Sequence, residues 1–344
     1  TRDLGRVLHY YKPKPPEGMM LVKGSAHYPK RWTHADGAPH VKHVREAMAE
    51  GYSVIINGIN RMWEPIDLFC HELQADLHHP VDVNLYVTPP GTQAFDYHWD
   101  VMDVFVVQVE GRKRWQVYEA AIDRPFSDEH KAVSPDKLPP MVFERDLEAG
   151  EVLYIPRGHV HAARTEETTS VHLSIGVHPK TWIDLMAAAV NAARSDPRFR
   201  GALPPGYFTS GDPETRFADM AAALPGLMDA ESAIGHLAQS VFVDRPPPPG
   251  DDYLEAEPAL GPDTRIERRP GVICRMLEGP GFAGVLYSGG KIIGPAKIGA
   301  ALQRALDAPS VTLAQMQDPL SDREVAVLVR RLIRDGLLRV AKDD

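Results

Sequence analysis

Residues 95–115 read FDYHWDVMDVFVVQVEGRKRW, placing His98, Trp99 and Asp100 just ahead of an apolar run over residues 104–109. On an extended strand, residues i and i+2 point to the same side. His98 and Asp100 are therefore expected to face one ion while Trp99 turns away. A second stretch, Pro156-Arg157-Gly158-His159-Val160-His161, follows the apolar residues Val152-Leu153-Tyr154-Ile155. Its Pro-Arg-Gly turn presents another imidazole toward the same point. Two imidazoles and one carboxylate form the facial set that holds non-haem Fe(II), with positions left over for a co-substrate and dioxygen. His161 is the leading third ligand, and His159, of the same parity, competes with it. Among 15 histidines a bare His-x-Asp is weak by itself; the strand context and the later histidine segment supply the specificity.

Residues 104–109 and 114–118 flank Glu110-Gly111-Arg112-Lys113, which reads as a hairpin with Gly111 at positive φ. Lys113, Trp115 and Val117 then share one strand face. With that face inward, Lys113 is a buried cation without an acid in its own strand, and buried charges need a partner. The far carboxylate of a dicarboxylate that chelates the metal through its other end supplies one. The competing reading is a lysine whose head reaches solvent along its own stem.

At 344 residues the chain is long enough for two or three domains. Hydrophobic content of 43%, charged content of 25% and a formal net charge of −9 describe a globular protein ill suited to extensive phosphate-backbone binding but compatible with a basic protein substrate. The two cysteines, Cys70 and Cys274, are far apart and form no CxxC pair, which excludes a cysteine-rich zinc site and fits a reducing compartment. The opening TRDLGRVLHYYKPKPPEG has no apolar signal core, and no run long enough to span a membrane occurs. A cytoplasmic location is the expectation.

The apolar period changes twice along the chain. Strand-like segments fall at 52–56, 81–87, 104–109, 114–118, 151–155 and 171–177, with helices expected at 65–77 and 40–50. Short strands between Gly/Pro turns imply a sandwich or small barrel. From residue 180 to about 243 the pattern is helical, as in TWIDLMAAAVNAARS, with more apolar surface than a small domain needs. A homodimer buries such a surface through two-fold symmetry. Residues 245–251, RPPPPGD, form a stiff linker. Helical runs at 296–306 and 322–335 and a final strand at 336–340 fit a small winged-helix domain. The expected domains are 1–178, 179–245 and 255–344.

The segments NLYVTPPGTQAFDYHWDVMDVFVVQVEGRKRWQVY and LYIPRGHVHAA resemble the JmjC family of 2-oxoglutarate oxygenases, most of all its ribosomal oxygenase branch. The resemblance lies within residues 1–178. It implies a mainly β double-stranded β-helix of the cupin, jelly-roll type, followed by a helical dimerisation region and a C-terminal winged-helix domain. It further implies Fe(II) on His98, Asp100 and His161, the distal carboxylate of 2-oxoglutarate on Lys113, and a hydrogen bond from Asn84 within the pocket. The family places a hydroxyl residue near the position of Gly176, so that contact falls to Ser174, Ser170 or His172. The implied activity is hydroxylation of a protein side chain, arginine or histidine of a ribosomal protein. A tailoring hydroxylase of a ribosomally made peptide, and a non-catalytic winged-helix sensor of a metal or carboxylate, are the alternatives.

The remaining candidates have plain readings. Gly91, Thr92 and Gln93 form either a pocket rim or a structural turn. His78-His79 beside Pro80 reads as a solvated loop, and Trp63, Trp99 and Trp115 as core. His172 is a pocket residue or a core histidine. The basic excess at Arg323, Arg330, Arg331, Arg334 and Arg339 reads as a solvated helix face, with nucleic-acid contact as the other possibility.

Overall fold

Side-chain alternation along β4 (Val81–Thr88) and β10 (Ser170–Val177) organises the first half of the molecule. The computed structural model describes residues 2–126, 132–209, 212–242 and 259–341, and the proline-rich stretch 245–251 lies outside them. The chain divides into two units, Thr1–Pro179 and Lys180–Asp344.

In the first unit, β1 (Met19–Lys23), β2 (Ala26–His27), β3 (Ser53–Ile56), β5 (Asp103–Glu110) and β8 (Val152–Ile155) join β4 and β10 in a seven-stranded sheet ordered β2-β1-β3-β4-β10-β5-β8. A second sheet holds β6 (Arg112–Ala120) between β7 (Met141–Glu148) and β9 (His159–Arg164). Every pairing in both sheets is antiparallel. The outward residues Val83, Val87, Val171 and Ile175 pack with Met19, Leu21, Val54 and Ile56, and with Val44 and Ala47 of α2 (Val41–Ala49) and Cys70 of α3 (Glu64–Leu77). Helix α3 starts with Pro65 in its first turn and Glu64 and Asp67 on the positive end of the dipole. His78, at φ 54°, closes it in the left-handed region, so this histidine is a helix terminator.

The expected hairpin at Gly111 is instead a corner. Strand β5 pairs with β10 and β8, whereas β6 pairs with β7 and β9. Gly111, at φ 67°, turns the chain from one sheet into the other, and a Cβ there would sit 2.0 Å from the Thr169 carbonyl oxygen. Glycine is thus required twice, for the backbone angle and for the close approach. His98-Trp99-Asp100 also departs from expectation, because no regular strand forms there. His98 makes an isolated antiparallel bridge with His161.

The second unit opens with α4 (Trp182–Val190), α5 (Asp212–Ala223) and α6 (Ala230–Phe242). Thr181 and Asp184 cap α4 reciprocally: the Thr181 backbone N–H donates to Asp184 Oδ2 at 2.7 Å. Leu185, Ala188 and Ala189 pack against Ala233 and Leu237 of α6. Further on come β11 (Arg265–Arg268), β12 (Cys274–Gly279), β13 (Phe282–Tyr287), β14 (Gly290–Pro295), α7 (Gly299–Asp307), β15 (Val311–Thr312), α8 (Asp322–Arg334) and β16 (Leu338–Val340). They build two three-stranded sheets, β15-β11-β16 and β12-β13-β14, around a core that includes Leu302, Val325, Val329 and Leu332. Arg331 and Arg334 pair with Asp335, and Arg339 with Glu267, which offsets part of the basic excess. Among the described residues, no helix is long and apolar enough to cross a membrane.

The corner at Gly111 makes a direct prediction. Gly111→Ala should cost more than about 2 kcal/mol in urea unfolding, since the strain of a positive φ on alanine, about 1–2 kcal/mol, is compounded by a backbone clash. Gly91→Ala, also at positive φ but with nothing within 4 Å of the added methyl, should show the strain alone. Equal losses at the two sites would contradict the corner.

Candidate metal centre and its cavity

The two sheets enclose a cavity of about 260 Å³, lined by inward-facing side chains of β4, β5, β6, β9 and β10. Strand register sets their order. Thr88 lies opposite Ser170, Tyr86 opposite His172, Asn84 opposite Ser174 and Asp82 opposite Gly176. On the other flank of β10, Gln108, Val106 and Val104 of β5 face His172, Ser174 and Gly176.

His98, Asp100 and His161 come together on this cavity, each offering a ligand atom within 4.8 Å of the others. Reciprocal backbone hydrogen bonds hold the two histidines: His161 N donates to His98 O at 2.8 Å and His98 N to His161 O at 3.2 Å. Side-chain contacts then fix the rings. His98 Nδ1 lies 2.7 Å from the Asp96 carbonyl oxygen, and His161 Nδ1 lies 3.1 Å from that of His159. A carbonyl only accepts, so each Nδ1 carries the proton and each Nε2 keeps its lone pair for a metal. His161 Nε2 is 3.5 Å from Asp100 Oδ2. Burial, followed by the nearby His98, pushes His161 well below the ordinary imidazole range, which favours the neutral form that ligates metal. The donor set and tautomers fit a non-haem Fe(II) site. Trp99 turns away as expected and packs with Tyr118 and Val160. His159 is outside the triad, to which it contributes a carbonyl group.

Lys113 is 2% exposed. Its Nζ donates to Thr88 Oγ1 at 3.0 Å and stands 6.0 Å from the ring centres of Tyr86 and Trp115. Burial lowers its pKa from 10.5 to about 7. Two further buried atoms on this cavity, Trp115 Nε1 and His172 Nδ1, have no hydrogen-bond partner among the described residues. An under-neutralised ammonium beside two unsatisfied ring nitrogens suits a carboxylate-bearing ligand. His172 stacks on Tyr86 with ring centres 4.6 Å apart and planes 9° from parallel, and burial, then Lys113, holds it well below the usual imidazole range.

The other expected positions divide. Ser174 and Gly176 line the cavity, and a Cβ on Gly176 would crowd Asp82 Oδ1 at 2.9 Å. Asn84 also lines it, but its side-chain oxygen is taken by the Gly58 N–H at 3.0 Å, leaving its amide nitrogen as the donor. Ser170 Oγ accepts from Gln108 Nε2 at 2.8 Å, and the hydroxyl beside Lys113 belongs to Thr88. Sequence reading missed Thr88, although it shares the parity of Asn84 and Tyr86. Gly91, Thr92 and Gln93 do not line the cavity; their bonds to Glu166, Thr165 and Phe95 make a structural turn. Trp115, read as core, is a wall of the cavity as well.

Comparison with known proteins agrees with this arrangement. Residues 58–185 match the JmjC domain. The chain is 34% identical over 204 residues to the bifunctional lysine-specific demethylase and histidyl-hydroxylase NO66 of Drosophila grimshawi, covering 54% of this chain and 28% of that protein. Against the Drosophila melanogaster NO66 it is 42% identical over 112 residues, covering 32% of this chain and 17% of the relative. The chain thus spans less than a third of the length of these curated relatives. Its fold is similar to that of Escherichia coli YcfD, with a TM-score of 0.59, 18% identity and coverage of 99% and 90% of the two chains. A structure of the same Escherichia coli protein, described as a ribosomal oxygenase in complex with cobalt and 2-oxoglutarate, gives a TM-score of 0.58 at 19% identity, covering 98% of this chain and 90% of that one. The triad and Lys113 all fall inside residues 58–185, the stretch of this chain that is similar to the JmjC domain.

Proposed function

We propose that this chain is an Fe(II)- and 2-oxoglutarate-dependent dioxygenase that hydroxylates a protein side chain, arginine or histidine of a ribosomal protein. The observation that carries the reading is the pairing, in one cavity, of a metal-ready His/Asp/His set with a buried lysine that bonds to a hydroxyl and, among the described residues, has no acid beside it. His98, Asp100 and His161 would hold the iron, and Lys113, with Thr88, Trp115 and His172, the co-substrate's carboxylates. When bound, iron with 2-oxoglutarate and dioxygen supplies oxidative decarboxylation to succinate coupled to hydroxylation of a C–H bond. The chain's own residues fix the donors, exclude water and aim the substrate. The names of the relatives, a histidyl-hydroxylase and a ribosomal oxygenase, support the substrate class. In this reading the two sheets form a double-stranded β-helix, and residues 255–344 a winged-helix domain.

Anaerobic titration should give one Fe(II) per chain and an absorption band that requires 2-oxoglutarate. Aerobic incubation with separated ribosomal proteins of the same source should add one oxygen mass to one of them. Asp100→Ala and His161→Ala should lose iron and activity, while His159→Ala retains more of both. Iron binding without the band would refute the co-substrate assignment.

The state of Lys113 gives the pH dependence. A bound carboxylate favours the ammonium, so its pKa in the complex lies above the value of about 7 in the free protein. Between those two values binding takes up a proton, and affinity falls as pH rises. With metal saturating, 2-oxoglutarate affinity should be flat below about pH 7 and weaken by up to about tenfold per pH unit above it. Calorimetry in buffers of different ionisation enthalpy should register the proton uptake, and Lys113→Met should abolish it. A pH-independent affinity from about pH 6 to 9 would contradict the assignment.

The helical region at 179–245 is the proposed dimer surface. While α4 turns its Ala-rich face to α6, Trp182, Ile183, Met186 and Val190 remain 81%, 59%, 48% and 45% exposed. Positions 182, 186 and 190 follow one helix stripe, and a second copy covers it by two-fold symmetry. Light scattering at micromolar concentration should give twice the chain mass, and Ile183→Glu with Trp182→Glu should give the monomer.

A further inference from the structure

The formal charge of −9 is unevenly distributed along the chain. Residues 259–344 contain thirteen Lys and Arg against ten Asp and Glu, a net +3, which leaves −12 on residues 1–258. Helix α8 gathers four of those thirteen basic residues. Its inner face, Val325, Leu328, Val329 and Leu332, is buried in the core. Arg323, Val327, Arg330 and Arg334 follow one another at steps of four, three and four residues on the opposite side, an exposed stripe roughly 16 Å long at about 1.5 Å per residue. Arg331 flanks the stripe and is exposed as well. Helix stability accounts for only part of this arrangement. Arg331 and Arg334 lie in the last turn, where the dipole favours cations, and they share Asp335. Arg323 lies in the first turn, where the dipole opposes a cation, and the acid one residue on, Glu324, caps the helix with Ser321 and pairs with Lys297. Neither Arg323 nor Arg330 has an acid three or four residues away along the helix. Arg330 and Arg334 are instead a like-charged i,i+4 pair, which weakens a helix.

We propose that the α8 stripe docks on the phosphate backbone of RNA. Guanidinium groups match phosphate oxygens in paired hydrogen bonds, and a straight row of them fits a row of phosphates better than it fits scattered acids. Val327, 58% exposed between the arginines, gives the stripe an apolar centre that can lie against a sugar. The net −12 on the rest of the chain repels a polyanion and so confines the contact to this helix. The choice of RNA rests on the ribosomal reading above, because a ribosomal protein is met together with its RNA; the phosphate contact itself rests on α8 alone.

The test uses the full chain and the fluorescence anisotropy of a labelled RNA hairpin, read across a series of potassium chloride concentrations. Three or four phosphate contacts should give a log–log salt slope of about −3, and Arg323→Ala should reduce its size by about one. Arg323→Glu with Arg330→Glu should weaken binding about tenfold or more, whereas Arg323→Lys with Arg330→Lys, which keeps the charge, should stay within about threefold of the parent chain. Lys42→Glu with Arg45→Glu makes the same change of charge at exposed positions of α2 and should also stay within about threefold. No binding at low salt, a loss on α2 as large as that on α8, or lysine variants as weak as the glutamate variants would each overturn the proposal. A DNA hairpin of the same sequence that binds more tightly would overturn the choice of RNA, and displacement of the hairpin by polyglutamate at equal charge would make an acidic polypeptide the partner instead. Neither iron nor 2-oxoglutarate enters the measurement. If the hairpin binds through α8 but no ribosomal protein gains oxygen, the ribosomal target falls while the role of α8 stands.

Discussion

A lysine ammonium held between two β-sheets, with one threonine hydroxyl as its hydrogen-bond acceptor, is the constraint around which this molecule is arranged. Removing a charge from water is expensive, and a neutral hydroxyl repays only part of that cost. The lowered pKa of Lys113 expresses the imbalance. Ser53 Oγ, 3.2 Å from Thr88 Oγ1, belongs to the same buried polar group. Such an arrangement is poor for stability alone and well suited to an anionic ligand, since a buried ammonium is screened less than one in water.

The candidate metal ligands are positioned by backbone pairing. Neither His98 nor Asp100 sits in a regular strand, yet the reciprocal bridge between His98 and His161 fixes both histidines, and carbonyls of Asp96 and His159 fix their rings. His161 is carried by β9, paired to β6, the strand that carries Lys113 and Trp115. One ladder therefore sets the spacing between His161 and the lysine. Precision of this kind comes from sheets, whose hydrogen bonds leave little freedom, more readily than from loops.

Much of this was legible in the sequence. The period-two pattern located β4, β5 and β10, and Pro65 with its acidic neighbours located α3. The residues named for the triad, and Lys113, do converge. What escaped was set by neighbours distant in sequence. Strand β7 is rich in charge at Glu144, Arg145, Asp146 and Glu148, because it is the edge of a small sheet and buries little beyond Leu147; no apolar alternation marks such a strand. The Gly111 corner carries the same local signal as a hairpin, and only the choice of partner strands separates them. Thr88 was overlooked for a different reason: its parity was readable, but its value depends on Lys113 arriving from the other sheet.

The corner and the lysine are one device. Had β5 and β6 paired as a hairpin, Lys113 would have stayed in the sheet of β5, alongside the strands that form its surroundings. By turning at Gly111, against the Thr169 carbonyl, the chain moves into the second sheet two residues before Lys113. The lysine then faces Thr88 and Tyr86 across the cavity instead of along a shared ladder. A residue without a side chain thereby decides which wall bears the cation.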